Sequence, residues 1–141
     1  MEGQKLLTAS QIRYLLTMKR LDGGGNGVRG AKVAAVLGFT NPSVHTMLNT
    51  FRDMNLIRKT AYGVAHFTDA GRKAVDRYSR YYEALFRLLA SHFPSDAHLQ
   101  AAVYAMLAEL PEESLDAFCA EAAGGPSACG SAAAQTDSGC L

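Results

Sequence analysis

The chain has 141 residues, is 48% hydrophobic and 19% charged, and sets 14 Lys+Arg against 13 Asp+Glu for a net charge of +1. That length suits one modest domain, or a small domain with an oligomerisation arm, and the apolar content excludes a wholly disordered chain. No apolar run approaches the roughly 18 residues of a membrane span, and Met1-Glu2-Gly3-Gln4-Lys5 lacks the basic-then-apolar order of a secretory signal, so a cytoplasmic protein with no membrane partner is expected.

In chain order, Thr8 to Leu21 places Ile12, Leu15, Leu16 and Met18 at the three-to-four spacing of an amphipathic helix, capped by Thr8 or Ser10. Asp22-Gly-Gly-Gly-Asn-Gly27 ends it as a glycine-rich loop. A short helix is expected over Gly30 to Leu37, with Val33, Ala34 and Leu37 inward and Gly38 as a left-handed stop. Phe39-Thr40-Asn41-Pro42 starts the next helix. Proline has no N–H to lose in a first turn, and Thr40 or Asn41 supplies the capping oxygen. That helix points Val44, Met47, Leu48 and Phe51 inward and ends near Asn55. Leu56–Thr60 and Val64–Phe67 are strand candidates around Ala61-Tyr62-Gly63, where Gly63 offers the positive φ of a tight hairpin.

Thr68 caps a long helix that is expected to reach about His92, with Asp69 at its positive end. Its apolar stripe is Val75, Tyr78, Tyr82, Leu85, Leu89 and Phe93. Pro94-Ser95-Asp96 interrupts the chain before a helix marked by Leu99, Val103, Met106, Leu107 and Leu110. Pro111-Glu112-Glu113 opens a last one carrying Leu115 and Phe118. From Ala122 to Leu141 the chain is rich in Ala, Gly and Ser, has little apolar area to offset its ordering entropy, and reads as a disordered tail. Cys119, Cys129 and Cys140 are odd in number and widely spaced, which fits neither a disulfide framework nor a zinc site.

Helix, short helix, turn, capped helix and hairpin is the order of a winged helix-turn-helix. The expected fold is therefore mainly α. A winged helix-turn-helix DNA-binding domain with a small β-hairpin wing occupies 1–70, a helical dimerisation arm 71–121, and the tail 122–141. A helix of this kind enters a DNA major groove, and Asn41, Ser43, His45, Thr46 and Asn49 are side chains that read base edges. Arg29, Lys32, Arg52, Arg58 and Lys59 supply phosphate contacts, with Tyr62 at the wing tip. The charge distribution supports double-stranded DNA as partner. Residues 1–87 hold all 14 basic residues and six acidic ones, a net +8, while 88–141 hold seven acids and no Lys or Arg. A stripe made of Val75, Tyr78, Tyr82, Leu85 and Leu89, with Val103 and Met106 on the next helix, is read as the seam of a homodimer.

Val28-Arg-Gly-Ala-Lys-Val-Ala-Ala-Val-Leu-Gly38, Asn41-Pro-Ser-Val44, Asn55-Leu-Ile57, Phe67-Thr-Asp-Ala-Gly71 and Arg87-Leu-Leu89 resemble the metal-dependent repressors of the diphtheria-toxin-repressor and manganese-transport-regulator type. The resemblance covers residues 8 to 118. It implies a homodimeric transcriptional repressor that binds a near-palindromic operator and senses a divalent metal, manganese or iron. Carried over by position, the ligands fall at Thr8, Gln11, Tyr82, Ala101, Ala105, Ala108 and Glu109. Alanine offers no donor to an octahedral ion, so a degenerate, metal-independent relative with no cofactor is expected. Glu83, His98 and Glu109 are the remaining candidate metal donors. Leu7-Thr-Ala-Ser-Gln11 also resembles the multiple-antibiotic-resistance regulators, which keeps a ligand-responsive regulator of that type open. A winged-helix protein-interaction module is the other alternative. An enzyme is not expected: no phosphate-binding glycine loop follows a strand, and there is no nucleophile elbow or zincin motif.

Overall fold

The computed structural model describes residues 7–23, 25–60 and 63–129, with 123–129 as backbone only. Two compact units divide the chain between Ser79 and Arg80, inside one helix.

The first unit begins with α1, Ala9–Asp22. Thr8 and not Ser10 is its cap: Thr8 Oγ1 accepts from Gln11 N at 3.1 Å, and Gln11 Oε1 accepts from Thr8 N at 3.0 Å, the reciprocal box that satisfies two end groups at once. Ile12, Leu15, Leu16 and Met18 are all buried, as their spacing predicts. A short strand, β1 (Val28–Arg29), comes next and is absent from the sequence reading. Two residues carry no alternation to detect, and their partner lies more than thirty positions away. Then α2 spans Gly30–Leu37, where expected, and Gly38 closes it at φ 75°, donating to Ala34 O.

Helix α3 runs Asn41–Asp53, with Thr40 as cap and Val44, Leu48 and Phe51 buried, while Met47 is only half-buried. Strands β2 (Ile57–Lys59) and β3 (Val64–Phe67) follow. The sheet order is β1-β3-β2, all antiparallel, with Ala65 opposite both Val28 and Lys59. The wing is therefore three-stranded. Its turn closes through Thr60 N to Val64 O at 2.9 Å and Gly63 N to Thr60 O at 3.1 Å, with Gly63 at φ 76°.

Helix α4, Asp69–Ala90, is capped by Thr68, whose Oγ1 accepts from Gly71 N at 3.0 Å and donates to Asn55 O at 2.7 Å. The carboxylate of Asp22 is almost completely buried. It accepts from Gly27 N at 2.7 Å and pairs with Arg72 at 3.1 Å, and that guanidinium stands 5.2 Å over the Phe67 ring. The loop after α1, the wing and the start of α4 are pinned together by this one acid.

The second unit holds the rest of α4, α5 (Ala97–Glu109, capped by Asp96) and α6 (Glu112–Cys129). Its core is Tyr81, Leu85, Leu99, Val103, Leu107 and Leu115. The long-helix stripe needs correcting: Tyr81 is buried, Tyr82 and Leu89 are half-buried, and Phe93 is exposed beyond the helix end. The covered face follows Val75, Tyr78, Tyr81 and Leu85, steps of three and four residues along one side of the helix. The tail also departs from expectation, since α6 continues past Ala122 to Cys129. Ala122 and Ala123 favour its first step, whereas Gly124, Gly125 and Pro126 are poor helix formers, and local propensity does not explain the rest. Residues 130–141, with Cys140, lie outside the described residues. Cys119 is a half-buried free thiol; burial pushes it above its ordinary value, with Arg80 opposing and Asp116 adding.

Candidate nucleic-acid interface

The candidate reading face is built on α3. Its apolar side carries Val44, Leu48 and Phe51 inward, which fixes the opposite side outward. Asn41, Ser43, His45 and Thr46 are exposed, and Asn49 is half-buried. The helix entry is rigid: Thr40 Oγ1 accepts from Ser43 N at 3.2 Å and donates to Ser43 Oγ at 2.9 Å. Behind it, Phe39 stacks on Tyr14 at 5.6 Å, and Tyr14 meets Phe51 edge-on at 6.3 Å. These rings hold the turn between α2 and α3. Thr46 donates its hydroxyl to Pro42 O at 3.0 Å and so faces outward as an acceptor. An open hollow of about 400 Å³, lined by Ser10, Tyr14, Phe39, Ser43, Thr46 and Met47, flanks the helix.

The basic residues are placed unequally. Arg58, on β2, and Lys32, on α2, are exposed. Arg29 lies on β1, one residue before α2, and Arg52 is paired with the neighbouring Asp53 at 3.4 Å. Lys59, half-buried on β2, is engaged within the protein. Its Nζ donates to Asn49 Oδ1 at 3.2 Å and lies 3.3 Å from His45 Nδ1. The wing therefore reaches back to the reading helix, a contact across ten and fourteen residues that no local pattern announces. Tyr62 lies outside the described residues.

The residues expected at a dimer seam divide. Val75, Tyr78, Leu85 and Val103 are consumed by the chain's own packing. Tyr82 and Leu89 stay half-buried, and Met106, Leu88 and Phe93 are exposed by 37%, 46% and 56%. Tyr82 stacks on Phe86 at 5.6 Å and lies 5.0 Å from Tyr104.

The ligand set implied by the resemblance does not fit a metal. Thr8 and Gln11 are spent on each other in the α1 capping box, Tyr82 is packed among aromatic rings, and Ala101, Ala105 and Ala108 carry no donor. Glu109 is exposed at the end of α5. Glu83 lines an open hollow with Tyr82, Phe86 and Arg87, and His98 lines another with Leu89, Phe93 and Asp96. Among the described residues, no group of three or more His, Cys, Asp or Glu comes together.

No protein-family model matches the chain, and no curated protein matches its sequence. Solved structures do. The hypothetical protein SSo2273 from Sulfolobus solfataricus matches with a TM-score of 0.60 at 20% identity, over 79% of this chain and 86% of that one. The manganese regulator SloR matches with a TM-score of 0.63 at 17% identity, over 77% of this chain and 52% of that one. ScaR, solved with bound Zn2+, matches with a TM-score of 0.60 at 20% identity, over 77% and 51%. This chain thus spans about half the length of SloR and of ScaR. The resemblance read from the sequence holds at the level of fold: a winged helix followed by helices, shared with these solved structures.

Proposed function

We propose that the chain is a sequence-specific, DNA-binding transcriptional regulator, a cytoplasmic homodimer that represses its target and is not an enzyme. The observation that carries this reading is the outward polar face of α3 (Asn41, Ser43, His45, Thr46) beside a wing that exposes Arg58. The unit bearing it has 12 Lys+Arg against five Asp+Glu within residues 1–79. Phosphate contacts from the cations supply affinity, and the α3 side chains supply sequence preference. A shared fold with a manganese regulator supports the regulatory role. The exposed Leu88, Phe93 and Met106 support self-association, which holds two reading heads about one DNA turn apart. Because the implied donor set is missing, DNA binding is expected to need no metal.

The test is a fluorescence-anisotropy titration of the purified chain on a genomic operator library, with chelator and then with manganese, iron or zinc. Affinity should fall steeply as salt rises and should not change with metal. Arg58→Glu should weaken binding to all sequences alike. Binding that is flat across salt, or absent on every duplex, rejects the reading. Recovery of a stoichiometric protein partner in its place would make this fold an interaction module.

A further inference from the structure

Lys59 joins the two halves of the reading head, and the chemistry of that junction fixes what the helix can read. Its ammonium has three N–H donors and no acceptor. Both groups it meets on α3 must therefore accept. Asn49 presents Oδ1 to it at 3.2 Å, which leaves the amide NH2 as the free end of that side chain. His45 presents Nδ1 at 3.3 Å, so its ring proton sits on the distal Nε2. Positions 45 and 49 are one helical turn apart and lie on the same side of α3. The wing thereby turns an acceptor of each side chain toward itself and leaves their N–H groups as the ends free to meet a ligand.

This matters for base readout. An unengaged Asn reads adenine by accepting from N6–H and donating to N7 at the same time. Oδ1 keeps a second lone pair, but the bond turns it to the Lys59 ammonium, so Asn49 no longer sets its oxygen and its NH2 side by side on an adenine edge. Guanine shows two acceptors, N7 and O6, in the major groove, and a donor-only pair suits them. We propose that Lys59 is a positioning residue that sets base preference: by holding the acceptors of His45 and Asn49, it makes this part of α3 select guanine over adenine. The third N–H of Lys59 stays available to a phosphate oxygen. This inference rests on the DNA-binding reading above.

The experiment selects binding sites from a randomised duplex library at fixed salt, using the full chain and its Lys59→Met and Lys59→Arg variants. Side-chain 15N spectra of His45 at pH 8, above the ordinary imidazole range, are recorded for the same three proteins. The wild type should show the Nε2–H tautomer and guanine-containing sites. Methionine keeps the apolar stem and removes the donor. It should mix the tautomers and shift the guanine-to-adenine ratio at one site position by roughly tenfold. The lost charge lowers affinity on every sequence equally, so the ratio is the readout. Arginine also only donates and should restore both signals. An unchanged ratio and tautomer in Lys59→Met overturns the inference while leaving DNA binding intact. A wild type that retains no duplex removes the DNA-binding reading and this inference with it.

Discussion

Gly71 is the position where a single methyl group tests the packing most severely. A Cβ placed there would stand 1.9 Å from Leu56 O, 2.8 Å from Leu56 C and 3.2 Å from Leu56 Cα. All three atoms are backbone, so no side-chain rotation relieves the clash. Leu56 cannot retreat freely either: its O accepts from Thr68 N at 3.0 Å, and its N donates to Phe51 O at 2.9 Å. Overpacking a well-filled site costs about 1–3 kcal/mol, and losing the Thr68 hydrogen bond adds about 1 kcal/mol. The better helix propensity of alanine returns at most about 1 kcal/mol. Gly71→Ala should therefore destabilise the chain by about 2–3 kcal/mol, read from urea unfolding followed by far-UV circular dichroism. Ala70→Gly, at the exposed neighbour in the same turn, isolates the propensity term at up to about 1 kcal/mol. A Gly71→Ala variant within about 0.5 kcal/mol of wild type would mean that α4 and the end of α3 do not approach as described, and the reasoning would fail.

Three further outcomes are expected. Asp22→Ala leaves Gly27 N without its acceptor and Arg72 without its partner; because Arg72 is 42% exposed and reaches water, the loss should be about 2 kcal/mol rather than the 3–5 of a fully buried pair. Urea unfolding checks this, and a change under about 0.5 kcal/mol contradicts it. Thr40→Ala removes the α3 cap and should cost about 1 kcal/mol, with Thr40→Asn close to wild type in the same assay. Burial pushes the Tyr14 phenol above its usual value near 10.0, so the unfolded chain loses that proton first. The stability tied to it is complete below pH 10 and is lost as pH rises through the folded value; Tyr14→Phe should flatten that alkaline decline in melting temperature, and an unchanged slope would show that Tyr14 is not its source.

Much of the fold was legible because its signals are short-range. Gly38 marks the end of α2 by its positive φ, Pro42 and Thr40 mark the start of α3, and Thr68 marks the start of α4. Each of these is decided within about four residues by which backbone groups lack partners. The reading face followed from the same arithmetic, since burying Val44, Leu48 and Phe51 forces Asn41, His45 and Thr46 outward. The seam was less legible. A periodic stripe states that a face is apolar without saying which chain covers it, and here the chain itself buries Val75, Tyr78, Leu85 and Val103.

The sequence by itself determined the order of the six helices and of the β2–β3 hairpin, the turns that end them, and the outward set on α3. Only the tertiary structure decided that Val28 pairs with Ala65, that Tyr81 and not Tyr82 is buried, and that Asp22 holds Gly27 and Arg72. It also decided that Lys59 faces His45 and Asn49 instead of open solvent. The physical reason is common to all four. Each depends on the distance between groups remote in sequence, or on which side of a helix its neighbours cover, and residue order carries neither quantity until the chain has packed.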